Sequence, residues 1–244
     1  MALTDKLTAI ADAIREKTGD TEPLSLDGMV DAIESITTGG GGGDGDDLNK
    51  FLTGTLEEID DDGLTTLANY AVYQNNGIKR IKLKNATSIG DRSLSECANL
   101  ESVDLPVATS IGNYCCRMSS KLVNVNMPKV NKITQSCFQG NTSLAYIDLH
   151  VAEGFASTCF DGCTNLSTLI IRTITPTNLP PTSGSNFLRN TSIAAGSGYI
   201  YVPFEMIEKY KPSGNWQAYA SQFRALEDYT VDGTITGELD MSKI

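Results

Sequence analysis

Apolar residues recur along the middle of the chain with a fixed period. Leu56, Ile78, Leu100, Leu122, Leu144 and Leu166 stand 22 residues apart each time. Three positions after them come Ile59, Ile81, Val103, Val125, Ile147 and Leu169, and two further on Leu83, Leu105, Met127, Leu149 and Ile171. The first unit holds Asp61 in that last column and departs from the rule. Leu67, Ile89, Ile111, Ile133 and Phe155 fill another column. Within each unit the phrase L-x-x-I-x-L alternates at its end, as a short half-buried strand does. One unit cannot bury its apolar side alone, so the registration predicts a solenoid of stacked units. Strands stacked about 4.8 Å apart make a narrow parallel sheet, about 24 Å from first to last.

The columns also absorb the cysteines. Cys115 and Cys116 stand side by side, a pattern open to metal, disulfide or redox chemistry. Cys115 shares its column with Ser93, Cys137 and Cys159, a place for small side chains. Cys116 shares its column with Val72, Leu94, Phe138 and Phe160, a place for large apolar ones. Cys97 and Cys163 lie in a third, with Ser119 and Asn141 between them. Each thiol inherits a packing role, so reduced, unliganded cysteines are expected, and zinc at Cys137, Cys159 and Cys163 is the weaker reading. The acids of GDGDD and of residues 59–63 lack the ligand spacing of an EF-hand. His150, the single histidine, occupies the turn position of Lys84, Pro106 and Pro128. No acyl-transfer motif surrounds it, so the expectation is a non-enzymatic protein without cofactor or metal.

Both ends read differently from the middle. Leu7, Ile10, Ala11 and Ile14 line one face of a helix over residues 4–17, with Thr4 as N-cap and Gly19 as stop. A second helix opening at Ser25 or Asp27 would bury Met29, Val30, Ile33 and Ile36. Such short helices bury little alone, so residues 1–37 are expected to pack on sibling chains or another protein. Residues 38–49 read as a Gly/Asp-rich linker and 50–172 as the solenoid. Residues 173–229 read as loop and cap, with a strand at 199–202 and helical segments at about 203–211 and 214–223. There Tyr201, Phe204, Trp216, Tyr219 and Phe223 would cover the open end of the stack. Residues 230–244 read as a tail with a hairpin around Asp232-Gly233.

A net charge of −11 argues against a nucleic-acid partner. No segment approaches the roughly 18 apolar residues of a membrane span, so no membrane insertion is expected. The acid-bearing N-terminus does not read as a signal peptide, which points to synthesis in a cytoplasm that keeps thiols reduced. Asn-x-Ser/Thr triplets at Asn85, Asn141, Asn165 and Asn190 carry little weight without such a signal. What remains is surface. Lys82, Asp104, Asn126 and Asp148 are the outward positions of the strand phrase, with Lys84 and His150 at the turns. They form a candidate binding ladder, or equally the polar coat that keeps the sheet soluble.

The phrases LESVDLPVATSIGNYCC, CFQGNTSL and CFDGCTNL resemble leucine-rich repeats of the BspA-like kind, over about residues 50–172, with Cys116 where that pattern has Phe. The phrase ADAIREKTG…LSLDGMVDAIESI resembles the start of tail and minor structural proteins of phages infecting Gram-positive hosts. The ending GYIYVPFEMIEKYKPSGNWQAYASQFRALEDY resembles theirs as well. Together these imply an α+β chain: a BspA-like leucine-rich-repeat solenoid of about six 22-residue units, with N-terminal amphipathic helices and a C-terminal helical/strand cap. They further imply a virion component, a tail fibre or baseplate-type appendage. Its partners would be other virion proteins and a host cell-surface receptor, and its habit a homo-oligomer, with a trimer favoured. A bacterial surface adhesin, an intracellular interaction scaffold and a purely structural virion decoration stay open as alternatives.

Overall fold

A computed structural model describes residues 56–150, 154–172, 186–228, 230–231 and 234–235. The expected helices carrying Leu7, Ile10, Ile14, Met29, Val30, Ile33 and Ile36, and the linker after them, lie outside the described residues. Each coil gives two short strands. In chain order these are β1 (Glu58–Asp60) and β2 (Thr66–Leu67), then β3 (Arg80–Lys82) and β4 (Ser88–Ile89). Next come β5 (Ser102–Asp104) and β6 (Ser110–Ile111), β7 (Asn124–Asn126) and β8 (Lys132–Ile133), and β9 (Tyr146–Leu149) and β10 (Gly154–Phe155). The later coils give β11 (Thr168–Ile171), β12 (Tyr199–Val202) and β13 (Phe223–Ala225).

All strands of the stack pair in parallel. β1-β3-β5-β7 form one sheet and β9-β11-β12-β13 a second, while β2-β4-β6 and β8-β10 run along another side of the coil. Ile59 pairs with Ile81, Ile81 with Val103 and Val103 with Val125, the 22-residue step of the sequence. A third line of bonds runs round the corner and bridges the break between the two sheets, as in Cys116 N–H to Cys137 O (2.9 Å) and Phe138 N–H to Cys159 O (2.8 Å). The fold is therefore the expected leucine-rich-repeat solenoid, of about seven turns with a few short helices.

The core is the set of repeated columns. Ile78, Leu100, Leu122, Leu144 and Leu166 are sealed from solvent, as are Leu83, Leu105, Leu149 and Ile171. Burying each such side chain contributes about 1.5–3 kcal/mol, which is how weak short strands are held. Phe138 and Phe160 stack with ring centres 5.5 Å apart. At the corner, Tyr70, Arg92, Tyr114, Ser136 and Thr158 all take φ between 50° and 59°. The coil demands a left-handed residue there, yet none of these five units supplies glycine.

Beyond residue 172 the stack continues. Phe187 and Leu188 extend the Cys159 and Phe160 columns, with Phe160 N–H donating to Phe187 O (2.9 Å) as Phe138 N–H does to Cys159 O. β12 then pairs with β11, Leu169 opposite Ile200. This coil is longer than 22 residues, and a search at fixed period reads its latter part as loop. β13 adds a further strand, Phe223 opposite Ile200. Between them lie a 3-10 turn (Phe204–Met206), the helix α1 (Ile207–Tyr210) and a 3-10 segment (Gly214–Gln222), close to the expected helical bounds. Trp216, Tyr219 and Phe223 are buried as expected of a cap, and Tyr201 is half-buried. Phe204 is not part of it: following Pro203 at the start of the 3-10 turn it points outward, 70% exposed. Thr230–Val231 and Thr234–Ile235 pair antiparallel, the hairpin expected of the tail.

Candidate interaction surface

The outward side of the strand ladder changes character along the stack. In the first two coils it is charged and self-paired. Lys79 meets Glu57 (2.6 Å), Arg80 meets Glu58 (3.0 Å), Lys82 meets Asp60 (2.7 Å) and Lys84 meets Asp62 (2.8 Å). The Lys82 ammonium holds the Asp60 carboxyl below its usual range. Further on, the Asn126 amide donates to Asp104 (2.6 Å). Asp148 is gripped by Arg172, whose Nε and Nη2 donate to its two oxygens at 2.8 and 2.7 Å. His150 is half-buried beside this pair, and burial draws its pKa down.

The six candidate residues thus share one side of the stack, but they do not form a row of free charges. Lys82 and Lys84 bind acids of the first coil, Asp104 and Asn126 bind each other, and Asp148 binds an arginine.

The last coils present rings instead. Tyr146 and Tyr199 lie in line through Thr168, two strands apart, and each is 40% exposed. Beside them Tyr201 lies in line with Ile170 and Asp148, and its ring meets Tyr199 edge-on at 6.3 Å. Arg224 stacks on Tyr199, 4.3 Å from the ring centre. The residue columns do not single out Tyr146, Tyr199 or Arg224, since Tyr146 stands where earlier units carry Arg80, Ser102 and Asn124, while Tyr201, expected to cover the open end of the stack, lies on this strand face. The available signal was in the phrases YIDL, TLII and YIYV, whose outward positions turn aromatic or apolar.

The corner carries a second aromatic row. The Arg92 guanidinium lies between Tyr114 (4.7 Å) and Tyr70 (6.0 Å). Next to it a polar chain crosses the coils. Gln74 donates to Glu96 (3.0 Å), Arg117 joins Glu96 (3.3 Å) to Gln139 (3.0 Å), and Gln139 donates to Asp161 (3.3 Å). Asp161 closes the chain on Arg189, with bonds of 3.0 and 2.6 Å. The Arg189 bond holds the Asp161 carboxyl below its ordinary pKa.

The thiols lie inside, away from these surfaces. All six cysteines are free and buried. Burial pushes Cys97 and Cys163 up to about 12, and Cys137 and Cys159 also upward. Cys97 Sγ donates to Val72 O (3.0 Å) and Cys163 Sγ to Phe138 O (2.9 Å). Ser119 Oγ does the same to Leu94 O (2.9 Å). Asn141, between them, is the exception: both polar atoms of its buried amide lack a partner. Asn141→Ser is therefore expected to stabilise the protein by about 1 kcal/mol, because a hydroxyl there reaches the Cys116 carbonyl as Ser119 reaches Leu94. A urea midpoint that falls instead would show the amide is satisfied.

Among the described residues no group of three His, Cys, Asp or Glu side chains could hold a metal ion. No described helix is long and apolar enough to cross a membrane. No curated protein matches the chain. Solved structures do. A leucine-rich repeat protein from Eubacterium ventriosum is 19% identical, with a TM-score of 0.47 over 57% of this chain and 43% of that one. One from Bacteroides ovatus is 15% identical, with a TM-score of 0.36 over 60% and 55%. The pneumococcal vaccine antigen PcpA is 17% identical, with a TM-score of 0.37 over 70% and 40%. The chain thus spans between 40% and 55% of the length of these three structures. The family described as BspA type leucine rich repeat region matches in six copies over residues 65–186. The strand register, the sealed columns and this match, over half the chain, agree: the protein belongs to the BspA-type leucine-rich-repeat family.

Proposed function

We propose that the chain is a non-enzymatic binding module of a phage tail appendage, and that its aromatic strand face makes the contact with a host surface or a neighbouring virion protein. The observation that carries the binding role is the change along the outward side, from charges that satisfy one another to Tyr146, Tyr199 and Tyr201 with Arg224. Tyr and Arg supply large, stiff contact area and dominate interface energetics. The tail assignment rests on the resemblance of both ends to phage structural proteins.

Two measurements test the two halves. Particles induced from a strain carrying the gene should label at the tail with antibody against the full-length chain; unlabelled tails would sink that assignment. Fluorescent full-length protein should bind host cells or tail particles, and Tyr199→Ala with Arg224→Ala should weaken binding at least tenfold. Lys82→Ala should change it less than twofold. Equal loss from both sets would show that the aromatic face is not the contact.

A further inference from the structure

One of the strand ladders breaks between the coil of β5 and β6 and the coil of β7 and β8. β2, β4 and β6 pair in one sheet and β8 pairs with β10, but β6 and β8 do not pair. Gly90 N–H donates to Leu67 O (2.8 Å), Gly112 N–H to Ile89 O (2.7 Å) and Ala156 N–H to Ile133 O (2.8 Å). Thr134 stands in the same column and makes no such bond to Ile111. The turn beside it stretches at the same place. Asp91 N–H reaches Asn69 Oδ1 at 2.7 Å and Asn113 N–H reaches Asp91 Oδ1 at 2.6 Å, whereas Gln135 N–H stands 3.3 Å from Asn113 Oδ1.

Thr134 takes the place that Gly90 and Gly112 hold in the two coils before it, and its hydroxyl, not its N–H, makes the link by donating to Gly112 O (2.6 Å). The corner bond from Cys116 N–H to Cys137 O (2.9 Å) keeps the two coils joined. The break therefore leaves a groove, of about 370 Å³, lined by Asn113, Lys132, Thr134, Gln135, Ala156 and Ser157. That volume lies within the about 300–1,000 Å³ of small-ligand sites. Among the described residues Lys132 has no carboxylate partner, and the Gln135 and Ser157 side chains make no hydrogen bond within the protein. No acid lines the groove, in a chain where 30 acidic side chains outnumber 19 basic ones.

We propose that this groove is a binding site for one anionic sugar unit, a sugar acid or a sugar phosphate. The lining selects that class. The Lys132 ammonium meets the acid group in a charge-assisted hydrogen bond. The amide of Gln135 and the hydroxyl of Ser157 each give and take hydrogen bonds, as ring hydroxyls require, and the Asn113 amide adds its N–H donors. Ala156 is the one apolar side chain of the lining, which leaves an apolar or peptide ligand little to bury against. The groove lies on another side of the coil from the aromatic strand face, and the proposal does not depend on the contact made there.

Calorimetric titration of the full-length protein tests this with four probes: glucuronic acid, glucose phosphorylated at its terminal hydroxyl, glucose itself and inorganic phosphate. One or both of the first two should bind, and which of them does so tells a carboxylate site from a phosphate site. Glucose and inorganic phosphate should each bind about tenfold more weakly, since each lacks half of the recognised chemistry. Lys132→Ala should weaken the sugar anion about tenfold, and Gln135→Ala with Ser157→Ala about fivefold. Neither change removes a side-chain bond that holds the fold, and the comparison among probes needs no variant. Tyr199→Ala should leave the affinity unchanged, which separates this site from the aromatic face.

Binding of neither sugar anion would overturn the proposal. So would inorganic phosphate that binds as tightly as the sugar phosphate, which would mean a bare cation, or glucose that binds as tightly as either anion. An affinity indifferent to Lys132→Ala would overturn it as well, because the ligand would then sit elsewhere.

Discussion

Trp216→Ala is expected to destabilise the protein by about 3–5 kcal/mol, the range for truncating a buried aromatic. The indole is 2% exposed and lies edge-on to Phe187 (5.0 Å), Tyr210 (5.1 Å) and Phe155 (5.6 Å), with Phe223 at 6.0 Å. These rings come from the repeat core, the long coil, α1 and the last strand, so one side chain pins four elements together. Stability in a solenoid is close to a sum over neighbouring layers. The loss should therefore fall on the end of the stack. Circular dichroism in urea should show a lower midpoint, and limited proteolysis should cut first after residue 172 while the earlier coils persist. An unchanged midpoint would mean that the rings hold without the indole.

Gly112→Ala is expected to cost about 3 kcal/mol, near the top of the usual range for overpacking. A Cβ on Gly112 would lie 2.3 Å from Asp91 N and 2.4 Å from Gly90 C, and both are backbone atoms that no rotamer change can move. The coils there are in direct main-chain contact, with Gly112 N–H donating to Ile89 O (2.7 Å). The same column holds Thr134 one coil later, where the side chain has room and its hydroxyl donates to Gly112 O (2.6 Å). Thr134→Ala should then cost only about 1 kcal/mol, one hydrogen bond. Differential scanning calorimetry compares the two directly. Equal shifts in Tm would show that the coils separate to admit the methyl group.

The strands, the sealed columns and the placement of every thiol were legible because a solenoid maps sequence offset onto spatial contact. Ile81 meets Val103 for the same reason that they stand 22 residues apart. The ion pairs of the first junction were legible by the same rule, since Asp60 and Lys82 share a column. Taking Lys82 and Lys84 as single outward positions, without their neighbours at the same offset, hid the pairing.

The long coil was hidden for a physical reason. Phe187 arrives 28 residues after Cys159 and the strand of this coil 31 after Leu169, so no fixed period of 22 reaches either. Ring stacking such as Arg224 on Tyr199 depends on side-chain direction across two strands, which offset alone does not give.

The even spacing of the coils also sets how the protein would yield under load. The bonds between coils run along the stack, so tension applied at its two ends opens one layer at a time and not the whole ladder in shear. Each released 22-residue coil adds about 70 Å of extended chain, from a span of about 3.3–3.6 Å per residue less the lost layer. The long coil, with its 31-residue offset, adds about 100 Å. The stack is in effect a ratchet of nearly equal lengths with one longer tooth near its C-terminal end.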